Sequence, residues 1–201
     1  MRWWSLCLGM VGVICAGCTA GGSLADDPAH PPAQASRYRL PEEFAAVQGA
    51  SGWFYHQAAP ESAASQPLAW GAAPAEAGHG ITDCWRDAAN PAALIARHKL
   101  HPVAGADAVI AWRAPRAGPA ELTVTVSCLD ADPEGDGAAL TFWHNAARVS
   151  EPALLANQLG QTHALTCART LRAGDTFCLR LHAGADDAAD WFSYAVEIRL
   201  P

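Results

Sequence analysis

The chain has 201 residues, 51% of them apolar and 16% charged, with a formal net charge of −7. That length and apolar content suit one folded domain and exclude a chain too polar to bury a core. Lys99 is the only lysine and the arginines are scattered, so the clustered cations that neutralise a phosphate backbone are missing and nucleic acid is excluded as a partner.

The opening MRWWSLCLGMVGVICAGC has a positive charge at Arg2, an apolar run from Trp3 to Cys15, and small residues before Cys18. These are the parts of a secretory signal over residues 1–17, and the run falls short of the roughly 20 residues of a membrane span. Cys15-Ala16-Gly17-Cys18 resembles the bacterial lipoprotein box, although Cys15 stands where Leu is usual. The expectation is a lipid on Cys18 and a membrane-anchored protein on the periplasmic or outer-membrane side; the alternative is ordinary cleavage with Cys18 unmodified. Residues 18–39, rich in Gly, Pro and Ala, read as a flexible tether ahead of a domain over 40–201.

Within that domain, Trp53 to His56 and Leu68 to Gly71 are candidate strands, and Pro91 to His98, behind Asn90, is expected as a short helix or another strand. From Ala108 the pattern is clearer. Ala108–Arg113, Glu121–Leu129, Ala138–His144, His163–Leu171, Thr176–His182 and Phe192–Leu200 are six predicted strands. In the second, Leu122, Val124, Val126 and Cys128 alternate with Thr123, Thr125 and Ser127, which marks a half-buried strand. Turn chemistry separates the strands at Pro115–Pro119, Asp132–Gly137 and Arg172–Asp175. The fold class is all-β: an antiparallel two-sheet β-sandwich of jelly-roll type, with a short helix or irregular insert in the N-terminal half.

Outside the signal and Cys18 stand Cys84, Cys128, Cys167 and Cys178, an even set in a chain bound for an oxidising compartment. Four cysteines allow three connectivities; Cys167 with Cys178 is the preferred disulfide because the two flank a tight turn. None has the spacing of a zinc site.

Trp143 lies on the parity opposite Leu140 and Phe142 and is therefore expected on the outer face, exposed unless a loop folds over it. With Thr141 and Asn145 it offers an apolar plate beside hydrogen-bonding groups, the chemistry that holds a sugar ring. Asp130, Asp132, Glu134 and Asp136 alternate in a loop and form a calcium candidate, with Asp186, Asp187 or Asp190 as further ligands if the two loops meet. The twelfth position of a calcium-binding EF-hand would fall on Thr141, so the loop is not of that kind. No GxSxG or HExxH is present, and no residue is assigned a catalytic role.

Gln48-Gly49, Gly52-Trp53-Phe54-Tyr55, His101-Pro102, Ala111-Trp112-Arg113-Ala114-Pro115, Gly135-Asp136-Gly137 and Ala173-Gly174-Asp175 occur in an order that resembles a jelly-roll domain of exported bacterial proteins, from about Phe44 to Leu200. The resemblance implies a sandwich similar to carbohydrate-binding modules and transfers no activity. The functional expectation is a lipoprotein that binds a ligand without catalysis, most simply a glycan. The alternatives are an envelope structural module that meets another protein and, last, a carbohydrate-active enzyme.

Overall fold

The sequence periodicity becomes strands wherever apolar side chains can meet across two layers. A computed structural model describes residues 36–72, 81, 83–87, 94–130, 136–155, 158–185 and 190–201. Its strands are β1 Ser36–Leu40, β2 Trp53–Ala58, β3 Gln66–Pro67, β4 Ala69–Gly71, β5 Cys84–Arg86, β6 Leu94–Ala96, β7 Lys99–His101, β8 Asp107–Arg113, β9 Gly118–Cys128, β10 Ala138–His144, β11 Ala147–Arg148, β12 Ala153–Leu155, β13 Thr162–Leu171, β14 Thr176–His182 and β15 Phe192–Leu200. The one helical element among the described residues is a single 3-10 turn, Ala50–Gly52. None of the described helices is long and apolar enough to cross a membrane.

All pairings are antiparallel and form two sheets. One runs β13-β9-β15-β7-β6-β5-β4 with β1 also on β15; the other runs β11-β10-β14-β8-β2-β3 with β12 also on β10. Their inner faces supply one core: Leu122, Val124, Val126, Tyr194, Val196 and Ile198 from the first meet Trp53, Tyr55, Ile110, Trp112, Phe142, Phe177 and Leu179 from the second. Each aliphatic side chain so buried stabilises the fold by roughly 1.5–3 kcal/mol. The Gln48 amide fastens the entry to β2, donating to Tyr55 O at 2.8 Å and accepting from Tyr55 N at 2.8 Å. Gly52 has φ +84°, and a Cβ there would stand 3.1 Å from both Arg113 O and Trp112 Nε1. The Gly52-Trp53 pair is thus explained by backbone geometry at the core.

One alternative is decided and one expectation is corrected. Of the short helix or strand expected over Pro91 to His98, the described part is the strand: Leu94–Ala96 is β6 between β5 and β7, and burial of Leu94, Ile95 and Ala96 outweighs a local capping preference. Cys167 and Cys178 are not bonded to each other; both are free thiols, as is Cys128, and all three are buried. The turn between them crosses from one sheet to the other: Cys167 points inward from β13, whereas Cys178 points outward from β14. Packed sheets lie about 10 Å apart, beyond the reach of a disulfide.

Candidate functional site

The outward face of the β10-β14-β8-β2 sheet carries a second, smaller apolar cluster of Ala58, Val109, Ala111, Trp143 and Cys178, with Phe54 packed against it. Strand register sets these residues in rows. Phe54, Ala111, Cys178 and Trp143 are successive cross-strand neighbours; His56, Val109, Arg180 and Thr141 form the next row. Small side chains at Val109, Ala111 and Cys178 lie between bulky ones on β2 and β10, so the face is hollowed into a groove. Its volume is about 350 Å³, and Phe54, His56, Ser65, Arg113, Asn145 and Arg180 are among its lining residues.

The segment 59–65 after β2 builds one wall. His56 Nδ1 lies 2.8 Å from Ser65 Oγ, Arg180 donates to Ser62 O at 2.5 Å, and Glu61 pairs with Arg148 of β11. The far end is closed by the turn after β10, where Asn145 adopts φ +53°. Its side chain donates to Asp175 Oδ1 at 3.1 Å and accepts from Thr176 N at 2.9 Å. Asp175 also accepts from Arg172 N at 2.8 Å and faces His144 Nε2 at 2.9 Å. These bonds, led by that of the Arg172 amide, hold the Asp175 carboxyl down to about 2.

Burial, reinforced by Arg113, pushes the His56 imidazole below its ordinary value. Burial likewise drives the Cys178 thiol up to about 11, so this cysteine is an inert part of the floor. Arg113 is exposed, and its guanidinium carbon lies 4.8 Å from the centre of the Phe54 ring. Arg180 is 2% exposed, with its guanidinium carbon 3.8 Å over the Trp143 ring. At the opposite end of the sheet, Asp107 Oδ1 meets His182 Nδ1 at 3.1 Å, and burial raises the Asp107 carboxyl above its usual range against the pull of His182 and Arg180.

The three residues expected to hold a sugar all lie on or beside this face. Trp143 is turned to the outer side as its parity requires, but it is only 5% exposed. Its indole N–H donates to Thr141 Oγ1 at 3.0 Å, and Arg180 covers its ring, so it is a packed foundation and not an open plate. Asn145 reaches the groove rim. Sequence reasoning missed Phe54, His56, Ser65, Arg113 and Arg180. Alternation within Trp53-Phe54-Tyr55-His56 was the available signal for two of them.

Of the calcium candidates, Asp132 and Glu134, like Asp186 and Asp187, lie outside the described residues. The two loops do meet: Asp136 Oδ2 accepts from Ala185 N at 2.7 Å. Asp190 is buried just ahead of β15, beside the end of β9, where Leu129 N donates to Trp191 O at 2.7 Å. Among the described residues, no three His, Cys, Asp or Glu side chains gather as a metal ion would require. Cys18 lies outside the described residues. Trp70 is the exposed aromatic among them, 37% accessible, with its ring 5.4 Å from that of Trp85 at the edge of the other sheet.

The fold and this face define an antiparallel two-sheet β-sandwich with a lined outer groove. No family model matches the chain, and no curated protein matches it in sequence. Among solved structures it is similar to a family 35 carbohydrate-binding module from Clostridium thermocellum, at 16% identity and TM-score 0.32, over 49% of this chain and 72% of that one. It is similar to the family 6 module of Cellvibrio mixtus lichenase 5A in complex with cellotriose, at 18% identity and TM-score 0.32, over 51% and 77%. A Podospora anserina β-(1,4)-mannanase carrying a family 35 module matches at 9% identity and TM-score 0.36, over 74% and 27%.

Proposed function

We propose that this protein is an exported lipoprotein, tethered to a membrane through Cys18, whose sandwich binds a glycan without catalysis in the outer groove of the β10-β14-β8-β2 sheet. The observation that carries this reading is the groove itself: an apolar floor of Val109, Ala111 and Cys178, with Phe54 at one side and hydrogen-bonding groups of His56, Ser65, Arg113 and Asn145 converging on about 350 Å³. That volume lies within the roughly 300–1,000 Å³ of small-ligand sites, and an apolar base ringed by a few fixed polar groups suits a sugar ring. The address is supported by the signal-type opening and the cysteine after Ala16-Gly17.

The test is retention of the protein on immobilised polysaccharides, compared among the wild type, Phe54→Ala and Trp70→Ala. Loss of retention in Phe54→Ala alone supports the groove. Loss in Trp70→Ala alone moves the site to the edge of the other sheet, and no retention on any polysaccharide refutes glycan binding. Mass analysis of the N-terminal peptide tests the address: a diacylglyceryl adduct on Cys18 is expected, and an unmodified Cys18 contradicts it.

One observation favours a second reading. A His56 imidazole that burial lowers from its ordinary pKa and that stands 2.8 Å from Ser65 Oγ makes the contact a general base makes with a hydroxyl nucleophile. Among the described residues no carboxylate pairs with His56, so the orienting partner of a triad is missing. Covalent labelling of Ser65 by a fluorophosphonate would favour this reading, and absence of labelling removes it.

A further inference from the structure

The groove differs in charge from the rest of the molecule. The whole chain carries −7, so it repels polyanions at long range and any binding of one must come from a local cation. Among the described residues none that lines the groove is acidic, while Arg113, Arg180 and His56 all line it. The surrounding carboxylates are already engaged. Asp175 is held by Arg172 N, His144 and Asn145, Glu61 by Arg148, and Asp107 by His182.

The two arginines have different situations. Arg180 is buried, spans the Trp143 ring and donates to Ser62 O, and Asp107 acts on the same charge. Arg113 sits in the last position of β8, exposed, and forms no ion pair among the described residues. Its guanidinium is steadied over the Phe54 ring at 4.8 Å, which orients it and leaves its N–H donors available. A planar guanidinium held this way matches a carboxylate or a sulfate bidentately, as a lysine cannot.

Resting on the reading of the groove as a glycan site, we propose that the groove selects acidic glycans, and that Arg113 is the residue that receives their anionic group. A uronate carboxylate and a sulfate ester share that chemistry. The sugar ring lies along Phe54 and the apolar floor while its anion meets Arg113 at the rim.

The experiment measures binding of the full chain to polygalacturonate, to its methyl ester, to dextran sulfate and to dextran, for the wild type, Arg113→Gln and Arg37→Gln. Arg37 is an exposed arginine paired with Glu197 on the other sheet, so its replacement changes net charge equally without touching the groove. Circular dichroism and thermal melting confirm that each variant is folded. The expected result is binding to an acidic polymer at least about tenfold tighter than to its uncharged counterpart, lost in Arg113→Gln and kept in Arg37→Gln. That binding weakens as salt rises from about 0.05 to about 0.5 M. Preference for polygalacturonate assigns the anion as a carboxylate, and preference for dextran sulfate assigns it as a sulfate. Equal binding of charged and uncharged polymers overturns the charge selection and leaves the groove reading standing. Equal losses in the two variants overturn the role of Arg113, and no binding to any of the four polymers overturns the groove reading and this inference together.

Discussion

Replacing Trp143 with alanine removes a ring that is 5% exposed, lies 3.8 Å beneath the Arg180 guanidinium carbon and donates to Thr141 Oγ1. Deleting a buried Trp side chain costs about 3–5 kcal/mol. The ring here packs on small neighbours, Val109, Ala111 and Cys178, and is roofed by one arginine, so the lower end, about 3 kcal/mol, is expected. About 2 kcal/mol of that is the contact with a desolvated cation. For a domain of this size such a loss lowers the melting temperature by about 6–12 °C. Thermal unfolding followed by circular dichroism reads it directly, and Trp143→Phe, which keeps a ring under Arg180, recovers most of the loss. A Trp143→Ala protein that melts within about 2 °C of the wild type but no longer binds any glycan would refute this reasoning. It would mean that Trp143 is an open plate, not a buried support.

Three further outcomes follow from the same geometry. Asp175 has its folded value lowered from 3.8 to about 2, so its contribution is present above 3.8 and lost as pH falls toward 2; Asp175→Asn should flatten the acid limb of a stability-versus-pH curve in that window. Alkylation of the unfolded chain without reductant should label Cys128, Cys167 and Cys178, all free thiols, and protection of Cys167 and Cys178 as a pair would contradict the placement of their strands. Leu122→Ala, in the core of β9, should cost about 2–5 kcal/mol in urea unfolding, whereas Thr125→Ala on the outer face of the same strand should cost less than about 0.5 kcal/mol.

The strands from Ala108 onward were legible because each alternates inner and outer residues long enough to identify a face; Ala138–His144, Thr176–His182 and Phe192–Leu200 fall where the pattern puts them. Parity also put Trp143 on the correct side. Its coverage was not legible, because that depends on Arg180 lying over the ring while its guanidinium is held by Ser62 O, contacts with no local sequence signature. The expected Cys167–Cys178 bridge failed for a related reason. Strands joined by a tight turn commonly pair, but here the turn carries the chain between layers. The groove needed the register of β2 against β8, which brings Phe54 beside Ala111 and His56 beside Val109; periodicity reports which face a residue takes, not its neighbour. Short strands such as β6 carry too few residues for a period to stand out against a capping signal.

The most direct test of the groove is nuclear magnetic resonance of the ¹⁵N-labelled folded domain titrated with oligosaccharides cut from a polysaccharide that retains it. Amide shifts clustered at Phe54, His56, Val109, Ala111, Arg113 and Thr176 are the expected result. Shifts clustered instead at Thr123, Thr125 and Ala195 on the outer face of the other sheet, or around Trp70, would contradict it.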